Sequence, residues 1–254
     1  MEYIQGSAIQ NFFQAIQSIQ TNVLESQREN LCLVARHMAD TVQAGKRILL
    51  FGTGHSHLMV EEAFYRAGGI AAATPIFSSA LMLHEDAQIS SRLERTPGVA
   101  AILLERYRPL TGEMLFVFSN SGVNCLPVEV ALEAKKLDLY VVSVSALEYA
   151  KIAPQSALGM RLDQVADLAL DNGGVPGDAI YQLENCEWRV GPSSTIVGAL
   201  IWNSLVVECF SILQARGVSC DKLPVFASLN MKGAAEHNQV LLDEWRKVNP
   251  HLPR

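Results

Sequence analysis

Three short loops rich in glycine, serine and threonine are the parts of this sequence best suited to chemistry. They are residues 52–57 (GTGHSH), 119–122 (SNSG) and 143–145 (SVS), and each lies at the end of an apolar run. A fourth group, residues 193–195 (SST), opens a long apolar segment. Hydroxyls and free N–H groups at helix N-termini donate hydrogen bonds to anions, and the helix dipole adds to the attraction. The pattern predicts a phosphate site built from neutral donors, although one such loop alone is more often a helix cap.

Two other phosphate-binding motifs do not fit these loops. The dinucleotide fingerprint requires glycine where this chain has His57, and an acidic residue about 20 positions later. Pro75, Ile76 and Phe77 occupy that later region. The triphosphate-binding loop requires Gly-Lys-Ser or Gly-Lys-Thr, which does not occur in the chain. Nicotinamide and ATP chemistry are therefore disfavoured, and we expect no organic cofactor.

Alternating strands and helices must position the loops. Helical patterns separate five short apolar runs, which predict strands at residues 47–51, 70–76, 114–118, 139–144 and 167–170. Such strands are parallel with right-handed crossovers, so the fold class is α/β, an open sheet of about five strands with helices on both faces. Ligands bind these sheets at the carboxyl ends of the strands. The three loops are therefore expected to meet at one sheet edge.

A helical extension precedes the sheet. Residues 5–44 predict two helices, because apolar side chains recur at three- and four-residue spacing. We interpret residues 1–45 as an N-terminal extension of a single domain that spans 1–254. The sheet does not obviously need the apolar face of the first helix. We expect it to bury against a second copy of the chain, through Ile9, Phe12, Phe13, Ile16 and Ile19.

Charge and composition disfavour several classes of function. Lysine plus arginine number 20 against 26 for aspartate plus glutamate, so the formal net charge of the 254 residues is −6. This balance argues against coating nucleic acid or an anionic membrane. The five cysteines form no C-x-x-C pair, and no run of about 18 apolar residues is visible. The first residues show no basic region followed by an apolar core, so we expect no secretory leader. We expect a cytoplasmic protein with no membrane or nucleic-acid partner.

The three loops together resemble a known family. GTGxS after the first strand, SNSG after a later one and SxSALEYA after the next are similar to the sugar isomerase (SIS) domain, which binds phosphosugars. The resemblance covers roughly residues 45–215. Residues 171–179, 191–198 and 224–238 resemble a bacterial branch of SIS-domain proteins similar to phosphoheptose isomerases. The resemblance implies a flavodoxin-like three-layer αβα sandwich, a homodimer or homotetramer, and a site shared between subunits.

The resemblance also implies which residues hold a phosphate. Ser56, Ser119 and Ser121 would bind it through their hydroxyls, and the SNSG loop would add backbone N–H groups. Family members often carry threonine shortly after this loop, whereas this chain has Val123 and Asn124. The Asn124 amide can still donate. The predicted phosphate-binding set is Thr53, Gly54, Ser56, Ser119, Asn120, Ser121, Gly122 and Asn124.

A base is needed beside the phosphate, because isomerisation and ether elimination both remove a proton next to a carbonyl. Our first candidate is Glu85, in a polar stretch just after the second strand. Glu62 is a further candidate, since it or its neighbour Glu61 on the helix after Ser56 can face the sheet edge. A solvated helix face is the alternative explanation for both.

Histidines raise two further possibilities. The resemblance implies that a C-terminal histidine reaches a neighbouring subunit's site, which makes His237 with Glu236 a catalytic candidate; the alternative is packing or capping. His55 and His57 can chelate zinc, with His84 or Glu85, only if His55 still lies in the loop, because residues two apart on a helix face away from each other. We expect no metal.

The function that follows is a cofactor-independent conversion of a sugar phosphate. The candidates are aldose–ketose isomerisation and a related lyase or etherase reaction. The alternative is a non-catalytic module that senses a phosphosugar. Regulators of that kind usually carry a basic helix-turn-helix segment, and residues 1–44 hold only Arg28 and Arg36 as basic side chains besides histidine. A flavin or nucleotide binder has no supporting motif.

Overall fold

The computed structural model describes residues 6–253, and its centre is a five-stranded parallel sheet. The strands follow the order β2-β1-β3-β4-β5. This order reverses direction next to β1, which opens a crevice at the carboxyl ends of β1 and β3. The bounds are Ile48–Gly52 for β1, Ala73–Pro75 for β2, Met114–Phe118 for β3, Tyr140–Ser145 for β4 and Leu168–Asp171 for β5.

Helices cover both faces of the sheet, because its central strands are buried on both sides. Side chains of α1, α2, α8 and α9 pack on one face, and those of α4, α5 and α7 pack on the other. The predicted three-layer αβα sandwich is confirmed. The helices are α1 Ser7–Gln43, α2 His57–Ala63, α3 Ala87–Leu93, α4 Val99–Tyr107, α5 Cys125–Lys136, α6 Leu147–Ile152, α7 Leu162–Val165, α8 Ser194–Ala215 and α9 Ala234–Trp245.

The expectation of two helices over residues 5–44 is wrong, because α1 is one continuous helix of 37 residues. Neither glycine nor proline occurs between its ends, so no residue in this stretch breaks the helix. Its middle is held where Val23 and Ile19 pack over Gly173, at which a Cβ atom would lie 3.0 Å from Val23 Cγ2. Residues 1–5 of the predicted extension lie outside the described residues.

Two further expectations are corrected near the first loop. The second strand is shorter than residues 70–76, because Ile70 pairs with Val225 in an antiparallel bridge instead of extending β2. The helical pattern expected to follow the first strand divides into a 3₁₀ turn, Gly54–Ser56, and α2, which ends at Ala63. This turn keeps the loop residues at the sheet edge.

A β-hairpin missing from the sequence prediction lies between β5 and α8. Its strands are β6, Ala179–Gln182, and β7, Arg189–Pro192. Phe12 of α1 packs directly on Gly191, where a Cβ atom would lie 2.5 Å from Phe12 Cε2. The hairpin begins just after Asp178 and ends just before Ser193, so it brings these two residues together.

Among the described residues, α8 is the one helix with the length and composition of a membrane span. Its buried side chains pack in the core beside α1 and the sheet. Trp202, for example, meets Phe116 of β3 edge-to-face at 5.3 Å between ring centroids. Burial inside the sandwich therefore accounts for part of the apolar composition of α8, whereas Ile196, Leu200 and Val207 stay exposed.

Candidate functional site

A cavity of about 400 Å³ lies at the carboxyl ends of β1 and β3. The first and second loops line it together, as expected for neighbouring parallel strands. Of the predicted phosphate-binding residues, seven line the cavity and Gly122 is buried in the loop behind it. The seven are Thr53, Gly54, Ser56, Ser119, Asn120, Ser121 and Asn124.

The first loop doubles back sharply after β1. Gly54 has a φ of +57°, in the left-handed region that favours glycine. A Cβ atom on Gly52 would lie 2.5 Å from the Ser56 carbonyl oxygen, so only glycine fits there. The Thr53 hydroxyl donates a hydrogen bond to Glu94 Oε2 at 3.0 Å. The loop thus presents Ser56 to the cavity and connects Thr53 to a carboxylate.

The second loop leads into the N-terminus of α5, which is open to an anion. The first turn of α5 contains no acidic residue, and the Asn124 side chain does not cap it. The N–H groups of Ser121, Val123 and Asn124 donate to no other described residue. Gly122, with a φ of +63°, turns the chain here, and its N–H donates to Ser119 Oγ at 3.3 Å. A phosphate at this point would meet free donors and the positive end of the helix dipole.

Asn120 is oriented by a residue that sequence reasoning missed. Asn172, just after β5, donates from Nδ2 to Asn120 Oδ1 at 3.0 Å. Asn172 is itself held by the Gly174 N–H, which donates to its Oδ1 at 2.9 Å. The Asn120 carbonyl oxygen accepts from the Ala146 N–H at 2.9 Å. Because its side-chain oxygen is engaged, Asn120 offers its amide N–H groups to a ligand.

Glu94 is a cavity carboxylate that sequence reasoning also missed. Its side chain is only 13% exposed, and its Oε1 lies 2.7 Å from the Arg95 guanidinium. The Leu126 N–H donates to the Glu94 carbonyl oxygen at 2.9 Å, which ties this residue to α5. Glu94 follows α3, a helix that we did not predict. The long-range contact with Thr53 leaves no mark in local sequence.

Asp178 is the second missed carboxylate, and it caps α8. Its Oδ1 accepts from the N–H groups of Ser193 and Ser194, at 3.1 and 2.9 Å. Its Oδ2 accepts from the Ser194 hydroxyl at 2.5 Å. Asp178 has a φ of +68°, unusual for a residue with a side chain. Residues 193–195 were expected to donate to an anionic ligand. The donors of Ser193 and Ser194 are instead already bound to the Asp178 carboxylate.

The three predicted catalytic residues do not line this cavity. Glu85 is exposed in the turn before α3, between the lining residues Leu83 and Ala87. Glu62 on α2 pairs with Arg66 and accepts from Asn203 Nδ2 at 3.2 Å. Their assignment to catalysis stays a prediction.

His237 lies away from the cavity as well. Its Nε2 donates to the Val225 carbonyl oxygen at 2.8 Å, beside the antiparallel bridge from Val225 to Ile70. Its neighbour Glu236 is exposed on the first turn of α9. A role for His237 in the site of another subunit stays a prediction.

The histidines of the first loop have different surroundings. His55 is exposed and lines the cavity. His57 is buried, and its Nδ1 forms a hydrogen bond with the Gly54 carbonyl oxygen. The His57 ring stands 5.6 Å from that of His84. Among residues 6–253, no group of three or more potential metal ligands is arranged to hold an ion.

The cysteine that follows the second loop, Cys125, is unsuited to act as a nucleophile. Cys125 is the first residue of α5 and is buried. Burial, and secondly the nearby Glu129 carboxylate, raise the pKa of its thiol above the ordinary value. The reactive form of cysteine is the thiolate, which a raised pKa disfavours.

Comparisons with known proteins agree on the family. A family model described as "SIS domain" matches residues 11–146. A UPF0309 protein from Geobacillus thermodenitrificans is 40% identical over 245 residues, which cover 96% of this chain and 97% of that protein. A UPF0309 protein from Halalkalibacterium halodurans is 39% identical over the same length, with the same coverage. A solved phosphoheptose isomerase from Francisella tularensis shares the fold, with a TM-score of 0.53 at 14% identity, covering 82% of this chain and 98% of that one. The chain therefore belongs to the SIS domain family, in the group of UPF0309 proteins.

Proposed function

We propose that this SIS-domain protein binds a sugar phosphate in the cavity between β1 and β3 and interconverts its aldose and ketose forms. One observation carries the proposal: the open N-terminus of α5 and the carboxylate of Glu94 belong to the same cavity. The first suits a phosphate, and the second suits proton transfer at a carbon of the same molecule. We place this activity in the cytoplasm, without an organic cofactor.

Proton transfer needs a base that is held in place. The Thr53 hydroxyl and the Arg95 guanidinium each contact one oxygen of Glu94, so the carboxylate is fixed beside the first loop. In the proposed reaction Glu94 takes a proton from the carbon next to the carbonyl while the carbonyl oxygen gains one, which gives an enediol. Glu94 then returns its proton to the former carbonyl carbon, and the hydroxyl on the adjacent carbon gives its proton back to the group that protonated the oxygen. His55 lines the same cavity and is a candidate to protonate the carbonyl oxygen. Glu94 therefore becomes our first candidate base, ahead of Glu85.

Binding and turnover can be tested separately. The purified protein is titrated with a panel of aldose and ketose phosphates while its melting temperature is followed, because a ligand of the native state raises it. NMR then follows any conversion of those that bind. Stabilisation with conversion supports the isomerase, and stabilisation without conversion supports the sensing module. No stabilisation by any member, or by inorganic phosphate, contradicts a phosphosugar site.

Thr53→Val is expected to lower kcat about tenfold and to leave KM nearly unchanged. Valine has the shape of threonine but cannot donate to Glu94 Oε2, so the base loses one of its two contacts. A tenfold change corresponds to about 1.4 kcal/mol, which is close to the contribution of one hydrogen bond to a charged group. Thr53→Ser keeps the hydroxyl and is the matched control. Equal kcat values for the valine and serine variants would remove the positioning role of Thr53.

The face formed by α1 and α8 is proposed to bind a second copy of the chain. Of the five residues predicted for this contact, Ile9 and Phe13 are more than 60% exposed, and their neighbour on α1, Leu24, is 60% exposed. The other three pack within this chain: Ile16 is buried, and Phe12 and Ile19 lie against Gly191 and Gly173. Leu24 and Leu200 of α8 line a groove of about 250 Å³. Several exposed apolar side chains grouped on one face are typical of a protein–protein interface.

Phe13→Asp is therefore expected to convert a dimer or tetramer to a single chain. In a two-fold interface the change is made twice, and each copy loses about 2 kcal/mol of burial and gains an unpaired charge. Ile102→Asp on α4 is the control, because Ile102 is 70% exposed against 64% for Phe13 but lies on the opposite layer. Light scattering gives the answer. A wild-type mass near 27.8 kDa would contradict the assembly.

A further inference from the structure

The cavity lining combines neutral donors with two carboxylates. At the start of α5, hydroxyls, amides and open N–H groups line the space, as described above for Ser119, Asn120 and Ser121. Two carboxylates, those of Glu94 and Asp178, belong to the remaining lining. No lysine or arginine belongs to the described residues that line the cavity. A phosphate can therefore be held by neutral donors, whereas any further charge on the ligand shares the cavity with two carboxylates.

Resting on the function proposed above, we infer that Glu94 and Asp178 restrict the site to sugar phosphates whose body is uncharged. A neutral polyol body can donate a hydrogen bond to Glu94 and carries no charge that either carboxylate would repel. A body that bears its own carboxylate or a second phosphate places like charges together, and no lysine or arginine among the described lining residues separates them. The pair thus excludes sugar acids and bisphosphates, and it favours isomerisation over elimination from a carboxylate-bearing sugar.

Glu94 cannot easily move away from an acidic ligand. Its Oε2 is held by the Thr53 hydroxyl, and its side chain is 13% exposed. Arg95 partly offsets its charge, but this guanidinium also donates to the Ser91 carbonyl oxygen at 2.6 Å and is itself 57% exposed. Neutralising a second anion would require Arg95 to leave Glu94.

Asp178 is fixed even more firmly. Its carboxylate accepts from two N–H groups and two hydroxyls at the start of α8. Moving it away would leave the first turn of a 22-residue helix uncapped. The occupied N-terminus of α8 also leaves the open N-terminus of α5 as the better place for a phosphate, so the ligand has one favoured orientation.

Ligand pairs that differ at a single carbon test this inference. Glucitol 6-phosphate and 6-phosphogluconate share an open chain and a phosphate, but one ends in a hydroxymethyl group and the other in a carboxylate. Arabinitol 5-phosphate and 5-phosphoarabinonate form the same contrast in a shorter chain. Calorimetry of the wild-type protein is expected to show binding of the alditol phosphates that is about tenfold to a hundredfold tighter than that of the acids. The ratio should shrink as salt is added, because screening weakens repulsion.

Two variants assign the effect to residues. Glu94→Gln and Asp178→Asn keep the side-chain shapes and are each expected to improve binding of the acids relative to the alditols by about tenfold. Glu148 is an exposed carboxylate on α6 that does not line the cavity, so Glu148→Gln is the matched control. It should leave the ratio of alditol to acid affinity unchanged.

The outcomes separate this inference from the proposed function. Equal binding of alditol and acid by the wild-type protein overturns the inference and leaves the phosphosugar site intact. A preference that neither salt nor either variant alters overturns the assignment to the two carboxylates. Absence of binding by all four compounds and by inorganic phosphate overturns the phosphosugar site, and the inference with it.

Discussion

Glu94→Gln is expected to bind sugar phosphates and to lose about 10²- to 10⁴-fold in turnover. This is the range that a positioned general base contributes. Glutamine keeps the length of the side chain and an oxygen that can accept from the Thr53 hydroxyl, so the first loop should keep its shape. A neutral amide cannot take the proton from carbon. Melting-temperature shifts measure binding, and NMR measures both isomerisation and exchange of the transferred proton with solvent deuterium.

Three further variants serve as comparisons for this prediction. Glu85→Gln, Glu62→Gln and His237→Asn change the candidates that sequence reasoning favoured, none of which lines the cavity of the single chain. If Glu94→Gln retains turnover while one of these loses it, Glu94 is not the base. A loss confined to His237→Asn would point to a contribution from a neighbouring subunit.

Ser121→Asp is expected to weaken sugar phosphate binding at least about a hundredfold without destabilising the protein. The new carboxylate would lie at the open N-terminus of α5, where the first turn has no acidic residue. There it would accept from the free N–H groups and repel the incoming phosphate. The same charge interacts favourably with the helix dipole, by about 0.3–1 kcal/mol. Loss of ligand binding should therefore accompany an unchanged or higher melting temperature.

Ser121→Asn is the neutral control for this change. It has nearly the same shape as aspartate and can still donate a hydrogen bond, so its affinity should stay within about tenfold of wild type. Undiminished binding by Ser121→Asp would place the phosphate elsewhere in the cavity. Equal losses in both variants would indicate that space, and not charge, is what matters at residue 121.

The sheet was largely predictable because its strands are buried on both faces. Ile48–Gly52 and Met114–Phe118 are continuous apolar runs, which is the local mark of a central parallel strand. The short β2 and the β6–β7 hairpin carry no such mark. Ile70 pairs with Val225, about 150 residues away by sequence number. Propensity within a window does not report a partner at that distance.

The loops of the site were predictable for a similar reason. Glycine at positions 52, 54 and 122 and serine at 119 and 121 satisfy local demands of backbone turns and helix starts. Parallel topology then brings these loops to one edge. The carboxylates were not predictable, since Glu94 reaches Thr53 across 41 residues and Asp178 reaches Ser194 across 16. A carboxylate in a polar stretch looks the same in sequence whether it faces solvent or a ligand.

The amino-acid sequence was enough to determine the α/β class and the donor-rich loops. A buried strand requires consecutive apolar residues and a tight turn favours glycine or serine at adjacent positions, so both are visible within a short stretch of sequence. Folding in three dimensions alone decided that α1 packs against α8, that Asn172 orients Asn120, and that two acids complete the cavity. Those choices depend on which distant groups pack together, and packing is a property of the whole sandwich, not of any short stretch of sequence.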